Sequence, residues 1–343
     1  MKSMSKLNVL IAGSTGYIGI QLVKLLANHS KVKIKYLCGN TSVGKKISFF
    51  DNSIKNKKLP KIIKFKKKFL DDVDVIFTAL PNGESQKISN SLNKKNILID
   101  LSADFRIKNH KVYKKWYKIE HSSKANIKNS LYSLPEINRK KIKNYKIISC
   151  PGCYPTTILI PLIPLIKKNL IKYKNIIIDS KSGYSGAGRK IHKLYKNKNL
   201  YESLSAYGIK DHRHNSEIQQ ELNLNTNKNV EFTFTPHLSP MFRGILTTIY
   251  VDINKNLNLN YIHKYLKNYY RNEKFIKILN PNKMVSTNDV INTNKCIMSI
   301  CASKKKNKII ILSAIDNLIK GGSGQAVQNF NIKFKFKENL GLK

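Results

Sequence analysis

The segment SCPGCYPTT, residues 149–157, puts two thiols three residues apart in a tight turn. A C-x-x-C pair can be a redox couple or half of a zinc site, and one thiol alone can be a nucleophile. The chain has five cysteines: Cys38, Cys150, Cys153, Cys296 and Cys301. An odd number argues against a disulfide framework. A zinc site needs two more ligands, yet Cys296 and Cys301 lie five apart in a strand-like run and point to opposite faces. No metal is expected. Cys150 falls at the end of a strand, and Pro151-Gly152 forces a turn after it. Cys153 lies just before the helix that Pro155 would start, where the helix dipole favours a thiolate. The alternative for Cys153 is an inert small core residue.

A nucleophilic thiol works with a base. Asp211-His-Arg-His-Asn-Ser-Glu217 gathers two histidines, an arginine and a carboxylate in seven residues. His212 is the candidate for proton exchange with a reacting group, and Glu217 could orient a ring. Metal binding by His212 and His214 is the alternative. Two more segments fit an anionic substrate. SGYSGAGR, from Ser182 to Arg189, is a small-residue loop with many free N–H groups, and PHLSPMFR ends in Arg243.

Glycine carries a third site. Gly13, Gly16 and Gly19 follow a strand and open a helix. Glycine lets backbone approach a pyrophosphate, and the helix N-terminus stabilises its charge. The alternative is a tight turn without a ligand. A dinucleotide unit that prefers NAD places an acid at the end of its second strand. Here that end reads YLCGNTSVGK, with no acid before Asp51. Thr41, Ser42 and Lys45 could hold a 2′-phosphate instead, which favours NADP.

These residues need elements to position them. Short apolar strands at Leu7–Ala12, Val32–Cys38, Val73–Leu80, Asn96–Leu101 and Lys146–Ser149 alternate with helical stretches, the pattern of a doubly wound parallel sheet. Beyond about residue 152 the strands lengthen and crowd: Asn175–Ser182, Val230–Thr235, Gly244–Ile253, Lys295–Ser303 and Ile309–Ile315. That predicts a mixed or largely antiparallel sheet with helices on one face, an α+β domain. Gly321–Asn331 is glycine-rich and then helical. At 343 residues two domains are expected. The Lys/Asn-rich stretches Lys55–Lys68 and Lys193–Asn199 read as solvated loops or helix faces.

The formal charge of +43 would suggest nucleic acid, but only six of the 63 basic residues are arginine. Lysine, asparagine and isoleucine share A/T-rich codons, so a biased genome accounts for the excess. No nucleic-acid-binding motif appears, and no specific nucleic-acid partner is expected. The longest apolar run, Thr157 to Ile166, is interrupted by Pro161 and Pro164 and falls short of a membrane span. The N-terminus leads into a strand rather than a cleavable apolar region, so a soluble, cytoplasmic protein is expected.

Taken in order, GSTGYIG (13–19), DLSADFR (100–106), YSLPEIN (132–138), PGCYPTT (151–157), KSGYSGAGRK (181–190), HRHNSEI (212–218), PHLSPMFRGI (236–245) and DNLIKGGSGQAVQN (316–329) resemble the N-acetyl-gamma-glutamyl-phosphate reductase family. The resemblance runs from about Leu7 to Asn331. It implies an α/β chain: a Rossmann-type NADP-binding domain, 1–152 plus 318–343, and an α+β substrate and dimerisation domain of the semialdehyde dehydrogenase type, 153–317. It implies Cys153 as the acyl-accepting thiol, His212 as acid/base, and support from His214 and Glu217. Arg106, Ser182, Arg189 and Arg243 would hold substrate phosphate or carboxylate. Cofactor contacts would come from Gly13, Ser14, Thr15, Gly16, Tyr17, Ile18, Gly19, Thr41, Ser42, Lys45, Ser185, Gly186, Asn317, Gly322 and Gln325. The substrate would be a small acyl phosphate, and the protein a homo-oligomer, dimer or tetramer. Two positions depart from the family pattern: Cys150 stands where Asn is usual, and Ser216 where Pro is usual. Aspartate-semialdehyde dehydrogenase and an aminoadipyl-phosphate reductase are the rival enzyme readings.

Overall fold

The computed structural model describes residues 6–189 and 202–343. They form two compact units, one holding the chain to Pro151 plus Gly322–Leu342, the other Gly152–Gly321 with Lys343. Lys190 and the Lys193–Asn199 stretch lie outside the described residues.

The first unit is a parallel sheet. In chain order it comprises β1 (Leu7–Ala12), α1 (Tyr17–Ala27), β2 (Val32–Cys38), β3 (Ile62–Ile63), β4 (Val75–Thr78), α2 (Glu84–Ser89), β5 (Ile97–Asp100), α3 (His110–Tyr117), α4 (Lys124–Lys128), β6 (Ser130–Tyr132), α5 (Pro135–Ile142) and β7 (Ile147–Ser149). The strand order is β3-β2-β1-β4-β5-β7-β6, every neighbouring pair parallel. The continuous apolar runs reflect burial on both faces. Val9 and Ile11 of β1 join one core, with Phe77, Ile99 and Ile148. Leu10 and Ala12, one residue out of phase, join the other, with Ile76, Leu98 and Phe105. The C-terminal helix Gly324–Lys333 closes the first face through Ala326, Val327 and Phe330, whose ring lies 5.9 Å from that of Phe77.

The second unit starts with α6 (Cys153–Lys167) and continues through β8 (Ile176–Gly183), β9 (Ser205–Ala206), α7 (His214–Asn223), β10 (Phe232–Ser239), β11 (Ile245–Asp252), α8 (Leu259–Tyr269), β12 (Ile276–Ile278), β13 (Cys296–Ala302) and β14 (Lys308–Ile315). Its sheet runs β12-β13-β14-β11-β8-β10-β9. It is mixed: β8–β10 and β12–β13 are parallel, the other pairs antiparallel. Helix α6 packs on β11 and β14, between α7 and α8. The opposite face alternates half-buried residues, among them Tyr250 and Ile310, with Ile177 exposed.

Helix α6 passes straight through Pro161 and Pro164, which the sequence reading took as interruptions of the apolar run. Pro164 has no N–H to give the carbonyl of Ile160 four residues earlier. The Tyr270 hydroxyl donates to that oxygen instead, at 2.5 Å.

Candidate active site

In the first unit the glycine turn sits at the C-terminal end of β1. Gly13 has φ +84°, and a Cβ there would fall 2.2 Å from the Ala79 carbonyl oxygen. A Cβ on Gly19 would fall 2.1 Å from the Gly13 oxygen. Only glycine lets α1 seat so closely on the turn. Gly16 is the N-cap of α1, and no side chain caps that end. The N–H groups of Gly13 and Ser14 donate to Cys38 O, at 3.0 and 3.1 Å, as does the Ser14 hydroxyl at 3.2 Å. Ser14 is therefore committed to β2, whereas Thr15, Tyr17 and Ile18 are half-buried. An uncapped helix start behind a glycine turn fits a dinucleotide pyrophosphate.

Past β2, Thr41 and Lys45 are exposed and Ser42 is buried, its carbonyl accepting from Lys45 N at 3.3 Å. Lys45 Nζ lies 4.3 Å from the Phe49 ring centroid, beside a depression of about 410 Å³ lined by Lys45, Lys46, Ser48, Phe49, Asn52 and Lys55. Asp51, the first acid after β2, is engaged with Lys24 at 3.0 Å and with Ser53 N at 2.9 Å. No carboxylate is left at the strand end to hold a ribose.

Arg106 is nearly buried. Its Nε donates to Cys150 O at 2.9 Å and its Nη2 to Leu101 O at 3.0 Å, tying the ends of β5 and β7 together. Two acids of the same motif went unassigned in the sequence reading. Asp104 accepts from Gly83 N, Gln86 N, Gln86 Nε2 and Tyr113 OH. Asp100, also fully buried, is pushed up to about 6 by burial first and by the Asp104 charge second. Their only sequence signal was a pair of acids closing an apolar strand. Cys150 is buried in this unit, where Asn329 Nδ2 donates weakly to its sulfur at 3.8 Å. Burial pushes its thiol up to about 12. Gly322 and Gln325 are buried in the same unit.

The second unit carries the thiol. Cys153 is the first residue of α6 rather than the one before it, with Gly152 as N-cap and Pro155 third in the first turn. Gly152 N donates to the fully buried Glu217 Oε2 at 3.0 Å. Glu217 Oε1 lies 3.7 Å from His214 Nε2. The His214 ring presses on Gly152 so closely that a Cβ there would fall 2.2 Å from Nε2. On the far side, a Cβ on Gly321 would fall 2.7 Å from Cys153 Cβ. Gly321 belongs to a π-helical turn, Ile319–Ser323.

His212 Nδ1 accepts from His214 N at 3.2 Å. Burial, and secondarily the Arg213 charge, lower its pKa to about 4, so the ring is neutral at pH 7. With Nδ1 accepting, the proton resides on Nε2. Ser216 sits in the first turn of α7, its hydroxyl donating to Arg213 O at 2.7 Å.

The two anion loops meet. Tyr184 N and Ser185 N donate to Met241 O and Phe242 O at 3.0 Å each, and Gly183 lies against the Arg243 backbone. Asn317 links the loops: its Oδ1 accepts from Gly244 N at 2.7 Å and its Nδ2 donates to Ser185 Oγ at 3.0 Å. A Cβ on Gly186 would fall 3.2 Å from Ser182 Oγ. Arg243 Nη1 donates to Asn292 Oδ1 and to the buried Asp316 Oδ2, at 2.5 and 3.1 Å. Asp316 as anchor for Arg243 escaped the sequence reading, which had no means of pairing the two. Arg189 is exposed at the loop's end. All five cysteines are free, and among the described residues no three metal-ligating side chains converge.

Residues 8–145 match the family model for the semialdehyde dehydrogenase NAD-binding domain, and residues 153–317 that for the semialdehyde dehydrogenase dimerisation domain. The class is thus that of the semialdehyde dehydrogenases. The solved aspartate semialdehyde dehydrogenase II of Vibrio cholerae superposes with a TM-score of 0.71 over 97% of this chain and 99% of its own, at 16% identity. That of Candida albicans, solved with NADP, gives 0.70 over 98% and 100%, at 15% identity. Those likenesses are of fold alone. The N-acetyl-gamma-glutamyl-phosphate reductases of Thermoanaerobacter pseudethanolicus and Clostridium novyi are 42% and 44% identical to this chain, each over 97% of it and 96% of their own length. A probable chloroplastic one from Arabidopsis thaliana is 39% identical over all of this chain and 85% of its own. The chain belongs to the N-acetyl-gamma-glutamyl-phosphate reductase family.

Proposed function

We propose that this protein reduces N-acetyl-L-glutamyl 5-phosphate to N-acetyl-L-glutamate 5-semialdehyde and phosphate, with NADPH, through a thioester on Cys153. The observation that carries the site is the buried Glu217 carboxylate, which holds Gly152 N–H on one oxygen and faces His214 with the other. It sets the imidazole pair against the turn that presents the thiol at a helix N-terminus.

Cys153, favoured as thiolate by the dipole of α6, attacks the acyl carbon; the carbon–oxygen bond to phosphate breaks and phosphate departs. Bound NADPH supplies the hydride for the thioester. His212 lends the Nε2 proton to the carbonyl oxygen as charge builds there and takes it back as C=O re-forms, the carbon–sulfur bond breaks and the thiolate is expelled with the aldehyde. Arg243, fixed by Asp316, holds an anionic end of the substrate, with Ser182, Arg189 and Arg106 in support; the loop is poorer in free N–H groups than its sequence suggested, because those of Gly183, Tyr184, Ser185 and Gly188 donate to backbone carbonyls. Gly13 to Gly19 cradle the pyrophosphate, and Thr41, Ser42 and Lys45 the 2′-phosphate. Ser185, Gly186, Asn317, Gly322 and Gln325 serve the nicotinamide side. The half-open face of the second sheet, with Ile177, Tyr250 and Ile310, is where a second copy packs into a dimer. Five free cysteines support a reducing, cytoplasmic location.

The test is NADPH oxidation with N-acetylglutamyl phosphate against aspartyl phosphate, and phosphate-dependent NADP reduction with each semialdehyde. Turnover confined to the glutamyl pair is expected; preference for the aspartyl pair overturns the substrate. NADPH should beat NADH in kcat/KM, and Lys45→Glu should erode the difference. Equal values for the two cofactors overturn the 2′-phosphate reading.

A further inference from the structure

His212 lies inside a ring cage. Its centroid is 5.5 Å from those of Tyr154 and Tyr207, 5.6 Å from Phe234 and 4.7 Å from His214. Tyr207 follows the edge strand β9, and its N–H donates to Pro236 O at 3.1 Å. Gly208, at φ +56°, then turns the chain back, so that His212 N donates to Gly208 O at 2.9 Å. The hydroxyls of Tyr154 and Tyr207 are 3.2 Å apart. Tyr154 already donates to His237 O at 3.0 Å, so Tyr207 is the donor between them. Tyr154 is the residue next to Cys153. Tyr207 itself is 37% exposed, which makes it the outer wall of the cage.

We infer that Tyr207 is a positioning residue for this reaction: its ring shields His212 from water, and its hydroxyl ties that wall to Tyr154 beside the nucleophile. The inference rests on the acid–base reading of His212. The wall maintains the desolvation that keeps the imidazole neutral. The other groups facing it are few. Arg213 adjoins His212 and opposes a second positive charge, and Asp211 precedes it in the chain. His214 faces it from α7, and Phe234 from β10 is uncharged. Both tyrosine hydroxyls are pushed up by burial, that of Tyr207 to about 12, so they stay neutral.

The test uses the full-length enzyme with isotope-labelled histidine. The His212 ring resonance is assigned by its loss in His212→Asn, then titrated by NMR. Tyr207→Ala should raise the His212 pKa towards 6.5 by at least about one unit, a tenfold change in protonated fraction at fixed pH. Its kcat/KM should fall more steeply than the parent's between pH 8 and 5.5, while NADPH affinity is retained. Tyr207→Phe keeps the wall and removes only the hydroxyl, so its His212 pKa should stay near the parent's, with a lower kcat. An unmoved His212 pKa in folded Tyr207→Ala overturns the inference. A moved pKa with normal turnover in His212→Asn upholds the cage and overturns instead the acid–base reading.

Discussion

The two thiols of one turn meet opposite environments. Cys150 is 1% exposed and its pKa is pushed to about 12, which leaves no thiolate at neutral pH. Cys153 stands at the first position of a 15-residue helix. Iodoacetamide should therefore label Cys153 first, with loss of activity, and NADP or acyl phosphate should protect it. Cys153→Ser should lose nearly all turnover, whereas Cys150→Asn should stay active. Peptide mapping of the labelled protein checks the order; a Cys150→Asn variant as inactive as Cys153→Ser overturns it. His212→Asn should lower turnover by roughly 10² to 10⁴-fold. The His212 pKa lies near 4 folded and near 6.5 unfolded. Its contribution to stability is thus fully present above about pH 6.5 and is lost as pH falls towards 4. A scan of Tm against pH should show a loss over that window, and His212→Asn should flatten it.

Elements carry their own chemistry. Helix α6 continues through two internal prolines, and the carbonyl that Pro164 leaves without a helical N–H, that of Ile160, is answered by a neighbour. Tyr270→Phe strips the hydroxyl from Ile160 O, an oxygen that Pro164 cannot serve. The loss should be about 1–3 kcal/mol of unfolding free energy, the cost of a buried unsatisfied carbonyl. Urea titration measures it; kcat should barely change, because Tyr270 meets α6 at Ile160, about two helical turns from Cys153. A variant as stable as the parent shows that the prolines need no compensation. The buried carboxylates show the same logic in the first unit. Asp104 accepts from four donors, whereas Asp100 receives Thr78 and Ser102 N on one oxygen only, and burial pushes its carboxyl up to about 6.

Across the whole molecule, the charge of +43 is overwhelmingly lysine. Lysines concentrate in places such as the depression of about 620 Å³ formed by His110, Lys111, Lys114, Lys115, Lys118, Glu120 and Lys124, on and between α3 and α4. Such a surface attracts any polyanion through counterion release. Duplex DNA should bind no tighter than about 10⁻⁴ to 10⁻⁶ M at physiological salt, without sequence preference. A gel-shift titration reaching nanomolar, sequence-selective binding would falsify this. Among the described residues no helix is long and apolar enough to cross a membrane.

What the amino-acid sequence settled by itself was local. Apolar runs of one length and period had to be buried strands, so β1 and β2 were read to the residue. Glycines at Gly13 and Gly19 had to permit close approach, as the 2.2 and 2.1 Å approaches of a Cβ there show. Strands of two or three residues, β3, β9 and β12, form against longer neighbours that offer them hydrogen bonds, and β6 against the equally short β7; none is long enough to show a period of its own. Pro164 of α6 looked like a break because its compensation comes from Tyr270, 110 residues from the carbonyl it answers. The same reason hid the anchor of Arg243 on Asp316, the four donors around Asp104 and the ring wall at Tyr207. Asp316 reaches Arg243 across 73 residues and Tyr207 reaches Tyr154 across 53, while the donors of Asp104 come from separate turns and helices, and burial raises Asp100 and Cys150 and lowers His212 only once that packing exists.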